Sequence, residues 1–170
     1  MAVSGSGGGP LTTDVRVPTL FGVALGFADR LGATDVLPDR FATLPPADAA
    51  AHLFADLDAG LAARLARGSI LVAGAGLGHG PGGAAAARAL AAGGFVAVVA
   101  GGYADGFDEH CLAAGLPPLE VDAPSVFHTG QRVRMNCEAG TIANLSSGDR
   151  QPIRNATETM LARLRVLLGR

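Results

Sequence analysis

His79 is the one ionisable side chain within residues 74–83, a ten-residue stretch holding six glycines. An imidazole titrates at about pH 6.5 in ordinary surroundings, so a histidine on such a loop could act as a general base near neutrality. The competing reading is a loop histidine that is solvated or bonded to backbone. A second group comprises Asp105, Asp108, Glu109 and His110. The three carboxylates fall at i, i+3 and i+4, one face of a helix, where they could hold a hard metal or exchange protons with His110. A solvated acidic face at a helix start explains the same pattern. The amides of Gly80, Gly82, Gly83 and Ala84 precede and open a helical stretch, where they could receive a carboxylate or phosphate. Against that stands a glycine turn that merely lets helix and strand approach closely. Gly78-x-Gly80-x-x-Gly83 also fits the dinucleotide-loop pattern, but the next strand closes on Ala100-Gly101-Gly102 with no acid, so a nicotinamide cofactor is not expected.

The elements around these residues set their positions. Ser69-Ile-Leu-Val-Ala73 reads as a buried strand, 84–92 as a helix closed by Gly93-Gly94, and 95–100 as a second buried strand. Strand, glycine loop, helix and strand form a βαβ unit with parallel strands and a right-handed crossover. A further helix over 103–114 ends at Gly115, and Pro117-Pro118 leads into a short strand at 119–121. Upstream, residues 1–13 are Gly/Ser-rich and read as a flexible tail, with residues 14–170 as one domain. A strand is expected at 15–17 or slightly longer, then a turn-rich stretch to Phe41. Pro45-Pro46 opens a helix carrying Ala50, Leu53, Phe54 and Leu57 on one apolar face. A shorter helical piece runs to Arg67-Gly68. Downstream, 132–136 and 140–145 alternate polar and apolar, the mark of an antiparallel meander. A final amphipathic helix carries Met160, Leu161, Leu164, Leu167 and Leu168, with Asn155 and Glu158 as its capping box.

Composition narrows the function classes. All 13 basic residues are arginine and the net charge is −2, which removes a lysine Schiff base or P-loop lysine and disfavours nucleic acid or an anionic membrane as partner. No apolar run approaches the ~20 residues of a membrane span. Cys111 and Cys137 lack CxxC spacing, so a zinc knuckle, a disulfide framework and a metal site in this chain are not expected. They read as small core residues in a reduced, cytoplasmic protein. His52 is expected beside an apolar helix face and His128 on the surface.

Residues 70–121, ILVAGAGLGHGPGGAAAARALAAGGFVAVVAGGYADGFDEHCLAAGLPPLEV, resemble the small subunit of 3-isopropylmalate dehydratase. That subunit is the swivel domain of the aconitase superfamily. The likeness runs from about Asp29 to the C-terminus and includes GTIANLSSG of the meander. It implies an α/β fold of the swivelling β/β/α type. It also implies a small carboxylic-acid ligand and a partner large subunit whose three cysteines hold a 4Fe–4S cluster, with no cofactor in this chain. The family's loop reads Gly-Cys-Gly-Ser-Ser-Arg-Glu-His. Here the stretch is Gly78-His79-Gly80-Pro81-Gly82-Gly83-Ala84-Ala85. The proton-abstracting serine therefore falls on Gly82 or Pro81 and the carboxylate-binding arginine on Gly83. The family's Asp-Thr-Asp segment falls on Gly32-Ala33-Thr34, or with one gap retains Thr34 and Asp35. Arg40, after Pro38, matches the family's Pro-x-Arg and either faces the shared cleft or holds a turn. Asp105 stands where the family carries a polar residue.

Three readings follow. In the first, the chain is a divergent subunit of an aconitase-like hydro-lyase or isomerase, with a substrate other than isopropylmalate. In the second, it is a stand-alone pocket protein, either a small enzyme using His79 with Asp105 or His110 or a binding protein without catalysis, which a homo-oligomer with a closed cleft around His79 would favour. In the third, it is a non-catalytic docking or regulatory paralogue. The expected catalytic residues are His79, Asp105 and His110. The expected substrate contacts are Arg40, Gly80, Gly82, Gly83 and Ala84.

Overall fold

A computed structural model describes residues 15–169. Its centre is one seven-stranded sheet of order β4-β3-β2-β1-β5-β6-β7. The strands are β1 (Leu20–Gly26), β2 (Ser69–Ala73), β3 (Ala97–Ala100), β4 (Pro118–Glu120), β5 (Arg132–Asn136), β6 (Thr141–Asn144) and β7 (Arg150–Pro152). β1 to β4 run parallel, and β5 to β7 add an antiparallel meander to the far side of β1. The helices are α1 (Ala33–Val36), α2 (Pro46–Ala49), α3 (Leu61–Arg64), α4 (Gly83–Ala92), α5 (Phe107–Ala113) and α6 (Glu158–Leu168).

β2 is buried at every position because both its faces are covered. Leu71 and Ala73 pack with Leu25, Leu90, Phe107 and Phe54 on the side of α1, α2, α4 and α5. Ile70 and Val72 pack with Leu119, Met135, Ile142, Leu161 and Leu164 on the side of α6. The expected βαβ unit is present, and the parallel neighbours β2, β3 and β4 are joined successively by α4 and α5.

The structure corrects several local expectations. Residues 15–17 form no strand; the first described strand is β1, within the stretch read as turn-rich. Its glycine is a packing requirement, since a Cβ at Gly22 would lie 2.5 Å from the Gly68 carbonyl oxygen and 2.7 Å from the Ile70 side chain. The helix after Pro45 stops early. α2 gives way to a 3₁₀ turn over Ala50–His52, Phe54 adopts φ +60°, and Leu57 is exposed while Leu53 and Phe54 are buried. The helix expected from 103 begins at Phe107, so Asp105 precedes it and does not share a helix face with Asp108 and Glu109. The meander gains a third strand, β7. α6 is capped by Thr157, whose hydroxyl accepts the Met160 amide at 3.2 Å; Asn155 instead accepts the Glu120 amide and donates to the Pro118 carbonyl.

Candidate functional site

In a parallel sheet the loops leaving the carboxyl ends of the strands face one crevice. Here those loops follow β1, β2, β3 and β4, and they are tied together mainly through backbone. Gly78 donates to the Leu31 carbonyl at 2.8 Å and Ala33 to the His79 carbonyl at 2.9 Å, fastening the glycine loop to the segment after β1. Leu77 donates to Gly102, and Ala104 donates back to Leu77, fastening it to the segment after β3. Two carboxylates complete the harness: Asp29 accepts the Ala75 amide at 3.0 Å and Asp105 accepts the Gly80 amide at 2.8 Å.

His79 is half-buried, and its Nε2 lies 2.8 Å from the Arg30 carbonyl oxygen. A carbonyl only accepts, so Nε2 carries the proton and Nδ1 is the nitrogen left to accept one. The glycines serve distinct ends. Gly78 has φ +85°, and a Cβ there would sit 2.1 Å from Cγ of the buried Phe107. Gly82, at φ +89°, caps α4 with no side-chain partner. His110 lies over the start of α4: a Cβ on Gly83 would come within 2.9 Å of its Cδ2. His79, Gly80, Gly82, Gly83, Ala84, Asp105 and His110 are thus gathered on or around one loop and one helix start.

Arg40 is elsewhere. Its guanidinium makes a two-pronged pair with Asp56 at 2.8 and 3.1 Å and lies over the Phe41 ring, so it fastens a turn. The acidic cluster is also divided, because Glu109 pairs with Arg163 of α6 at 2.8 and 2.9 Å. That partner draws the Glu109 carboxyl below its ordinary pKa. His52 stacks on Phe41 with ring centroids 3.9 Å apart, and His128 is exposed. Both cysteines are buried, which pushes Cys111 up to about 12 and Cys137 up to about 11, far from thiolate at neutral pH. Among the described residues no group of three or more His, Cys, Asp or Glu could hold a metal ion, and no helix is long and apolar enough to cross a membrane.

Two residues here were not singled out from sequence. Asp29 borders a cleft of about 380 Å³ shared with Phe27, Gly74 and Asp122, and it crowds Gly74 so closely that no Cβ fits. Arg30 adopts φ +62°, with its amide donating to Ala75 at 2.8 Å and its carbonyl taken by His79. Its exposed guanidinium has no ion-pair partner among the described residues, whereas Arg40, Arg64, Arg154, Arg163 and Arg165 all do. The only sequence signal was a basic residue just upstream of the degraded Asp-Thr-Asp segment.

A parallel half-sheet with a glycine loop at its carboxyl edge, extended by an antiparallel meander, is the swivel β/β/α domain of the aconitase superfamily. A solved 3-isopropylmalate dehydratase from Methanocaldococcus jannaschii shares that fold, with a TM-score of 0.74 at 22% identity over 86% of this chain and 93% of that one. The small subunit of 3-isopropylmalate dehydratase from Moorella thermoacetica is 32% identical over 129 residues, 75% of this chain and 78% of the relative. The small subunit of 2,3-dimethylmalate dehydratase from Eubacterium barkeri is 30% identical over 129 residues, 75% of this chain and 79% of the relative. No family model matches the chain. The chain belongs to the 3-isopropylmalate dehydratase small-subunit family.

Proposed function

We propose that the chain is the small subunit of an aconitase-like hydro-lyase or isomerase. It acts on a hydroxy-carboxylic acid together with an iron–sulfur large subunit, and not by ordinary isopropylmalate isomerisation. The observation that carries this reading is the harnessed glycine loop. Its frame is intact, yet Pro81, Gly82 and Gly83 offer no side chain that transfers a proton or pairs with a carboxylate. A relative named for 2,3-dimethylmalate supports a branched malate as substrate class.

In this reading Arg30, whose side chain lies against Gly76 of the glycine loop, supplies a positive charge toward a substrate carboxylate, and the amides of Gly82, Gly83 and Ala84 at the start of α4 supply donors. His79 takes the proton at Nδ1, since Nε2 is committed to Arg30. Asp105 holds Gly80, and His110 closes the space over Gly83. A cluster in the partner would supply a Lewis-acid iron for the leaving hydroxyl.

One observation favours the non-catalytic docking reading: His79 and Asp105 both spend a polar atom on backbone. Reconstitution with an aconitase-like large subunit from the same genome separates the two. The assay is absorbance of the unsaturated acid formed from a panel of branched malates. The expected result is turnover of a malate other than isopropylmalate, lowered ~10²-fold or more by His79→Ala. Turnover untouched by that variant removes His79 as base. Turnover of no malate favours the docking reading, and robust isopropylmalate turnover overturns the proposal.

A further inference from the structure

The antiparallel half of the sheet is covered on one face only. Along β1 the side chains alternate: Ala24 joins the core under α6, while Leu25 joins the core under α4. Phe21 and Val23 share the face of Leu25, but the helical layer does not reach them, and they are 59% and 43% exposed. Their cross-strand partners on β5 are Arg134 and Arg132, so the same bare face carries two guanidiniums beside two apolar side chains. Leu145, just beyond β6, is 39% exposed and lines with Phe21, Val23, Arg132 and Arg67 a depression of about 340 Å³ that no acidic residue borders. None of Arg67, Arg132 and Arg134 has an ion-pair partner among the described residues.

We infer that this face is a docking surface for an acidic protein surface with an apolar centre. The occupant is the large subunit of the reading above, on which this inference rests. Charge decides against the alternatives. A second copy would bring arginine against arginine. A nucleic acid would find a single ring to stack on, Phe21, between Val23 and Leu145, which offer none, on a chain of net charge −2. The chain described from Val15 starts on the opposite side, where Val17 joins the core under α6. β1 spans the distance from Phe21 to the loops at its carboxyl end, about 17 Å at strand rise, so one large partner can cover this face and still reach the glycine loop.

The test measures binding of the full chain to the cluster-loaded large subunit by biolayer interferometry. The paired variant Arg132→Glu/Arg134→Glu is expected to weaken binding ~30-fold or more, and Phe21→Ser ~10-fold. Arg132→Lys/Arg134→Lys should stay within ~3-fold, and wild-type binding should weaken as salt rises. Thermal midpoints should move little for the arginine variants, since Arg132 is exposed, Arg134 is half-buried and neither is ion-paired among the described residues, and binding is compared at a temperature where every variant is folded. If the complex forms and the charge-reversed chain binds as wild type does, the face is wrong while the function stands. If no complex forms, both fall. Three other results overturn the inference: arginine-dependent saturation by a single-stranded RNA 20-mer, a dimer of this chain abolished by Phe21→Ser, or tighter binding after removal of residues 1–14.

Discussion

Gly78→Ala and Gly80→Ala isolate what holds the glycine loop in place. Both residues sit at nearly the same backbone angle, φ +85° and φ +84°. An L-residue there costs about 1–2 kcal/mol in torsion alone. The surroundings differ. A Cβ at Gly80 meets nothing within 4 Å, whereas at Gly78 it would fall 2.1 Å from Cγ and 2.4 Å from Cβ of Phe107. Phe107 is fully buried beside Leu77, Leu90 and Cys111, so it cannot step aside without disturbing the core. Overpacking of that kind adds about 1–3 kcal/mol. The expected losses are therefore about 1–2 kcal/mol for Gly80→Ala and about 2–5 kcal/mol for Gly78→Ala, read from urea midpoints at constant m-value. Equal losses at the two positions would refute the claim that Phe107 is what the loop packs against.

Glu138 ties the β5–β6 turn to Arg165 of α6 at 2.7 and 2.9 Å and to the Val17 amide at 2.7 Å. The Arg165 guanidinium, first, and that amide hold its carboxyl down to about 2 from an ordinary 4.5. A depressed carboxyl stabilises the fold above its unfolded pKa and loses that contribution as pH falls through its folded one. Stability should hold above pH ~4.5 and fall toward pH ~2 by about 1–2 kcal/mol from this group after solvent screening, a drop that Glu138→Gln abolishes in acid-denaturation curves. Asp105→Ala should raise hydrogen exchange at the Gly80 amide about 5–10-fold, the equivalent of one lost hydrogen bond; exchange unchanged would mean the loop does not lean on Asp105. Cys111 and Cys137 should resist thiol reagents in the native protein at pH 8 and react on unfolding, and rapid native labelling would contradict their burial.

The hydrophobic runs of the parallel half were readable because strands covered on both faces are apolar throughout, as in residues 69–73. β1 was not, because Leu20–Gly26 carries two glycines and the reason for Gly22 is a neighbour 46 positions along the chain. The helix expected through Leu57 failed for a related cause. Leu53 and Phe54 are core residues as their spacing implied, but a left-handed Phe54 delivers them from a turn. At the candidate site, the glycine loop and His79 were legible as residue types. What holds them, the Arg30 carbonyl and the Asp29 and Asp105 carboxylates, depends on loops from separate strands meeting, which no local pattern encodes.

Because the harness is mostly main chain, most single substitutions around the crevice leave its shape alone. The outward directions at Gly80 and Gly82 are empty to 4 Å, and only torsion opposes a side chain there. Asparagine tolerates that left-handed geometry best among the non-glycine residues. New chemistry can therefore be grafted at those two points by mutation without rebuilding the scaffold, which makes this crevice an evolvable surface.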